Sequence, residues 1–101
     1  MTPEKKIELE IKEHLTKNGW FVFKISQPGF KTRNIRGIAD LFAIKDGLNL
    51  WIEVKTPKGI QSEAQVKFQR LIKEHGGNYF LARSVEDVEN KIKDVIINMH
   101  L

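Results

Sequence analysis

Two acids and a lysine in the middle of this 101-residue chain have the types and spacing to do chemistry: Asp40 in Gly37-Ile38-Ala39-Asp40, then Glu53 and Lys55 in Trp51-Ile52-Glu53-Val54-Lys55. The segments that carry them, "DLFAI" (Asp40–Ile44) and "LWIEVKT" (Leu50–Thr56), read as strands, with Lys45-Asp46-Gly47 as good turn chemistry between them. Side chains alternate along a strand, so Leu50, Ile52 and Val54 take one face and Trp51, Glu53 and Lys55 the other. In an antiparallel hairpin the start of one strand lies beside the end of the next, which brings Asp40 toward Glu53 and Lys55. Two carboxylates that close repel unless positive charge sits between them. The chain has no cysteine and its three histidines are scattered, so the donors are oxygens, which favours a hard ion such as Mg²⁺ or Mn²⁺. Asp40, Glu53 and the backbone carbonyl of Val54 would hold such an ion and leave places for water and a phosphate oxygen. The ion would acidify an attacking water and neutralise charge on a phosphoryl transition state. Neighbouring acids favour the charged ammonium, so Lys55 suits charge stabilisation better than the work of a base. Taken alone, the triplet Glu53-Val54-Lys55 reads equally as a solvent-facing ion pair worth under ~1 kcal/mol. Its conjunction with Asp40 and with basic loops at both ends favours the chemical reading.

The elements that must position these residues follow from periodicity and punctuation. Thr2-Pro3-Glu4 starts a helix, Ile7, Ile11 and Leu15 form its buried stripe, and Asn18-Gly19 ends it. Trp20–Ile25 is a first strand, and Ser26–Gly37 a polar, basic loop. After the hairpin, "TPKGIQ" is a second basic loop. Ser62 and Gln65 form a capping box for a helix through Val66, Phe68, Leu71 and Ile72 to His75, which Gly76-Gly77 stops. Tyr79–Arg83 is a fourth strand. Ser84 caps a last helix that turns Val88, Ile92, Val95, Ile96 and Met99 inward. The first three strands form an antiparallel meander, and a strand that follows a crossover helix joins the same sheet in parallel. The expected fold is therefore α/β: a mixed sheet of about four strands flanked by helices, in the order α-β-β-β-α-β-α, as one domain over residues 1–101.

Asp40, twelve intervening residues and then Glu53-Val54-Lys55 resemble the signature of the PD-(D/E)XK nuclease superfamily. The closer resemblance is to the VRR-NUC domain family, whose pattern is similar to "GIAD…WIEVKTPKGIQSEAQVKFQRLIKEHGG" and extends over roughly Glu4 to Arg83. The family usually has Gly-x-Pro-Asp, and Ala39 stands here in place of that turn-shaping proline. The resemblance implies a restriction endonuclease-like sheet and a Mg²⁺- or Mn²⁺-dependent DNA endonuclease. Compact stand-alone members resemble Holliday junction resolvases that act as homodimers on branched DNA. By that resemblance Asp40 and Glu53 hold the metal, Lys55 completes catalysis, and an acid of the first helix joins the site. Spacing from Gly19 matches Glu4 to the VRR-NUC pattern and Glu8 to the junction-resolvase pattern, so both are candidates. Gln65 stands where the family has glutamine. It either hydrogen-bonds near the metal or the lysine, or only completes the capping box.

The remaining signals concern partners. A formal charge of +4 and a pI near 9.4 suit a polyanion without requiring one. Lys31, Arg33 and Arg36 precede Asp40 and, with Lys58, form an expected basic rim that meets DNA phosphates and positions a duplex without reading sequence. Phe30 and Ile35 are expected to anchor that loop, Trp20 and Trp51 to pack, and His14, His75 and His100 to be structural. The last helix ends with more apolar residues than one sheet face requires. It, or the sheet edge, is the expected dimer surface. There is no apolar run of about 20 residues and no signal-peptide core, so a cytoplasmic location is expected. Two other readings use the same fold: a non-catalytic DNA-binding module, and a subunit of a larger repair assembly.

Overall fold

The computed structural model describes residues 1–25 and 35–99. Its elements are α1 (Pro3–Lys17), β1 (Phe21–Lys24), β2 (Leu41–Lys45), β3 (Leu48–Val54), α2 (Glu63–Glu74), β4 (Tyr79–Ala82) and α3 (Val85–Met99). The strands lie side by side in chain order; β1–β2 and β2–β3 are antiparallel, and β4 joins β3 in parallel. This is the expected mixed sheet and the expected element order.

Local chemistry sets most boundaries. The Thr2 hydroxyl accepts from the Lys5 N–H, and Pro3 occupies the first turn of α1. At α2 the capping box is reciprocal: Ser62 Oγ accepts from Gln65 N, and Gln65 Oε1 accepts from Ser62 N. Asp46 and Gly47, with φ of 51° and 81°, form a two-residue turn of the primed type, which matches strand twist. Because the turn takes only these two residues, β2 reaches Lys45 and β3 starts at Leu48, two residues before the expected Leu50.

The sheet is covered on both faces. Ile11 and Leu15 of α1 and Val88 and Ile92 of α3 pack against Leu41, Ala43, Leu50, Ile52 and Val54. On the other face, Phe68 and Ile72 of α2 meet Phe42, Trp51 and Tyr79. The β1–β2 side of this second face leaves Phe21, Phe23 and Ile44 exposed. One expectation is corrected. Ile96 and Met99 are 43% and 63% exposed, because the stripe Val88–Ile92–Val95 already closes the core. Both instead border an open groove with Trp20 and Leu48. Ile35, at the end of the basic loop, is 49% exposed. Phe30, expected to anchor with it, lies outside the described residues.

Candidate active site

Asp40 sits one residue before β2, where three strands converge. Its carbonyl accepts from Ile25 N at 2.8 Å and its own N–H donates to the Ile52 carbonyl at 3.0 Å, tying its backbone to the neighbouring strands. The carboxylate turns toward β3, and Oδ2 accepts from Val54 N at 2.8 Å. In a strand, the N–H and C=O of one residue point to the same side, so the Val54 carbonyl also faces Asp40.

Glu53 is 2% exposed, on the α2 face beside Trp51. A solvent-facing ion pair is thereby excluded. Its Oε1 accepts from Gln65 Nε2 at 2.9 Å, and Lys55 Nζ stands 4.0 Å from the same oxygen. Its Oε2 is buried and receives no donor from the described residues. Trp51, Phe68 and Tyr79 form an edge-to-face row on this side of the sheet, with centroids 5.9 and 6.0 Å apart. Burial in this apolar setting, then the negative charge of Asp40 and a hydrogen bond with its carboxylate, push the Glu53 carboxyl from 4.5 up to about 9; Lys55 pulls it down and Glu4 pushes it up.

The N-terminal turns of α1 close the site from the side. An open cleft of about 570 Å³ brings Thr2, Glu4, Glu8 and Lys24 to Asp40 and Thr56. Glu8 is ion-paired with Lys24 at 3.3 Å, whereas Glu4 is exposed and its field reaches Glu53. The structure thus brings together Asp40, Glu53, Lys55 and Gln65, and places both helix acids at the rim. Among the described residues no three acidic or histidine side chains are gathered at ligand spacing. Gln65 does both things that its position suggested, since one end of its amide caps α2 and the other holds Glu53. Arg36 and Lys58 are exposed near the site's borders, and Lys31, Arg33 and His100 lie outside the described residues. His14 bridges α1 to Glu89 of α3 at 2.5 Å, and His75 bonds the Leu71 carbonyl, both structural roles as expected.

Three contributors were not visible in the sequence. Gly37, at φ +71°, lies so close to α2 that a Cβ there would sit 2.3 Å from the Ala64 carbonyl group. Arg83 Nη1 donates to the carbonyls of Thr56 and Gly59 at 2.5 and 2.7 Å, clamping the loop that follows Lys55. Tyr79 is buried beneath the site, and Gln61 donates to its hydroxyl. None of the three belongs to a local pattern. Each contact spans 18 to 27 residues, so only the folded chain reveals it.

With this geometry in place, the comparisons with known proteins become informative. No protein-family profile matches the sequence, and no curated protein matches it significantly. Among solved structures, one described as a VRR_NUC domain superposes with a TM-score of 0.77 at 24% identity, covering 92% of this chain and 97% of its own. The chain has the fold of a VRR_NUC domain, as its sequence pattern implied.

Proposed function

We propose that this protein is a divalent-cation-dependent endodeoxyribonuclease that hydrolyses phosphodiester bonds, selects branched DNA by structure, and works as a homodimer. The observation that carries the reading is the buried Glu53 carboxyl, held by Gln65, close enough to the fixed carboxylate of Asp40 for the two charges to repel. Two carboxylates held side by side repel unless positive charge sits between them. The donor set is all oxygen and suits Mg²⁺ or Mn²⁺, with Asp40, Glu53 and the Val54 carbonyl as the groups that would hold the ion. Glu4 is better placed than Glu8 to add a water-mediated contact, because Lys24 already engages Glu8. A bound ion would supply charge neutralisation at the phosphate and acidify the water that attacks phosphorus.

The chain's own groups do the rest. The Val54 N–H fixes Asp40, and Gln65 fixes Glu53 from the first turn of α2. The Lys55 ammonium, 4.0 Å from Glu53, is positioned to bind a phosphate oxygen and to offset charge as the bond to the leaving oxygen breaks. Arg83 holds the Thr56–Gly59 turn and with it Lys58, which joins Arg36 and the loop cations Lys31 and Arg33 in contacting the DNA backbone.

The test is cleavage of branched and linear DNA by purified protein in Mg²⁺ or Mn²⁺. Wild type is expected to cut only with added cation, and Asp40→Ala and Lys55→Ala to lose at least about a hundredfold in rate. Cutting by Asp40→Ala at the wild-type rate defeats the reading. The alternative, a non-catalytic DNA-binding module, is favoured by the finding that among the described residues no three acidic or histidine side chains gather at ligand spacing. Wild-type protein that binds DNA but never cuts it favours that alternative.

A further inference from the structure

Behind the Asp40–Glu53 pair, β4 and the start of α2 build a second polar layer. Tyr79 is 1% exposed, and its ring packs edge-on against Phe68. Its oxygen accepts from Gln61 Nε2 at 3.2 Å. The same Gln61 nitrogen also donates to Gln69 Oε1 at 3.0 Å. With the phenol oxygen already serving as an acceptor, its hydrogen remains to be donated.

The sheet register sets Glu53 on the same face. Trp51 pairs with Tyr79 and Glu53 with Leu81, so Tyr79 shares a face with Glu53 and lies one diagonal step away. That is within the reach of an aromatic side chain. Glu53 Oε2 is the buried acceptor that wants a donor. The phenol registers this neighbour: burial first, and then the Glu53 charge, push it well above the usual tyrosine range. A carboxylate oxygen has two acceptor sites, so Oε2 can take the Tyr79 hydrogen and still face Asp40.

We propose that Tyr79, oriented by Gln61, is a positioning residue that holds the Glu53 carboxyl from behind and presents it to the cation shared with Asp40. This rests on the reading of Asp40 and Glu53 as a cation site. Gln65 grips only Oε1, and the terminal torsion of a glutamate is soft, so one donor leaves the carboxyl free to swing. A second donor on the opposite oxygen removes that freedom. Outer hydrogen bonds of this kind usually change metal affinity 10- to 100-fold.

The experiment is titration of Mn²⁺ into wild type, Tyr79→Phe, Gln61→Met and Asp40→Asn by calorimetry, with DNA cleavage kinetics and thermal melting alongside. Tyr79→Phe keeps the ring and its packing while removing the hydroxyl. It is expected to bind Mn²⁺ about tenfold more weakly and to lose rate at subsaturating Mn²⁺, with the deficit narrowing as Mn²⁺ is raised. A role confined to the core would lower the melting temperature and leave Mn²⁺ affinity at the wild-type value; that result overturns the proposal. Should Tyr79→Phe not fold, Gln61→Met carries the same test, because it leaves the phenol in place and unties its oxygen. Wild-type Mn²⁺ affinity in that variant overturns the proposal equally. Failure of the underlying reading looks different: wild type itself binds no Mn²⁺, or Asp40→Asn binds it undiminished, and the role of Tyr79 falls with it.

Discussion

Glu53 is the residue on which opposing forces meet. Burial strips it of water, and Asp40 repels its charge and hydrogen-bonds its neutral form, while Lys55 favours ionisation less strongly, so the carboxyl rises to about 9. Between about 4.5 and about 9 the folded protein therefore keeps a proton that the unfolded chain has released. Stability must fall as pH rises through that window, because there the native state binds more protons than the unfolded one. Cation-free protein is expected to lose on the order of a few kcal/mol across it in denaturant titrations. Glu53→Gln, a neutral isostere, is expected to flatten the profile, and an unchanged slope in that variant would assign the proton elsewhere. The same linkage gives a second outcome. A cation needs the ionised acid, so its binding is expected to release close to one proton at neutral pH and to tighten roughly tenfold for each pH step upward until about 9. Calorimetry in buffers of different ionisation enthalpy counts that proton directly.

The elements hold this acid through contacts between their ends more than through their middles. The Gly37 turn presses against the first turn of α2, and that turn carries Gln65 to Glu53. Gly37→Ala meets both a left-handed backbone at +71° and the Ala64 carbonyl group at 2.3 Å, and is expected to cost more than about 2 kcal/mol. Gly47→Ala is the control: its φ is +81° with nothing within 4 Å, so only the ~1 kcal/mol backbone preference is lost. Equal losses by chemical denaturation would mean that the Gly37 packing contributes nothing. Caps, the Asp46-Gly47 turn and the two-sided alternation of β3 were legible in the sequence because each is a local rule. So was the approach of Asp40 to Glu53, since hairpin geometry requires it. Gln65 was legible as a cap and as a residue near the metal, but not which carboxyl it holds. The Arg83 clamp, the Tyr79–Gln61 pair and the choice between Glu4 and Glu8 depend on which distant segments fold together. The inward assignment of Ile96 and Met99 failed for a related reason: helical period gives a stripe, whereas the length of the surface beneath decides how much of it is covered.

At the scale of the whole molecule, two kinds of surface ask for partners. No helix among the described residues is long and apolar enough to cross a membrane, and two apolar patches lie open, Phe21–Phe23–Ile44 on the sheet and Ile96–Ile97–Met99 on α3. If either joins two copies, Phe21→Glu or Ile97→Glu shifts sedimentation from dimer to monomer, and the variant that does so identifies the interface. The second surface is electrostatic. A net charge of +4 says nothing about where a polyanion lies, but Arg36 and Lys58 are exposed on segments that flank Asp40 and Lys55, and Arg83 stiffens the Lys58 turn. Cations that meet phosphates release counterions, so the logarithm of the DNA association constant falls linearly with that of salt. Lys58→Ala, measured by fluorescence anisotropy in chelator so that no cutting occurs, is expected to reduce that slope by about one while weakening branched and linear DNA alike. Equal weakening follows from contacts that position the backbone and do not read shape. An unchanged slope would place Lys58 away from the DNA, and a selective loss of branched substrate would make the clamped turn the part that senses structure.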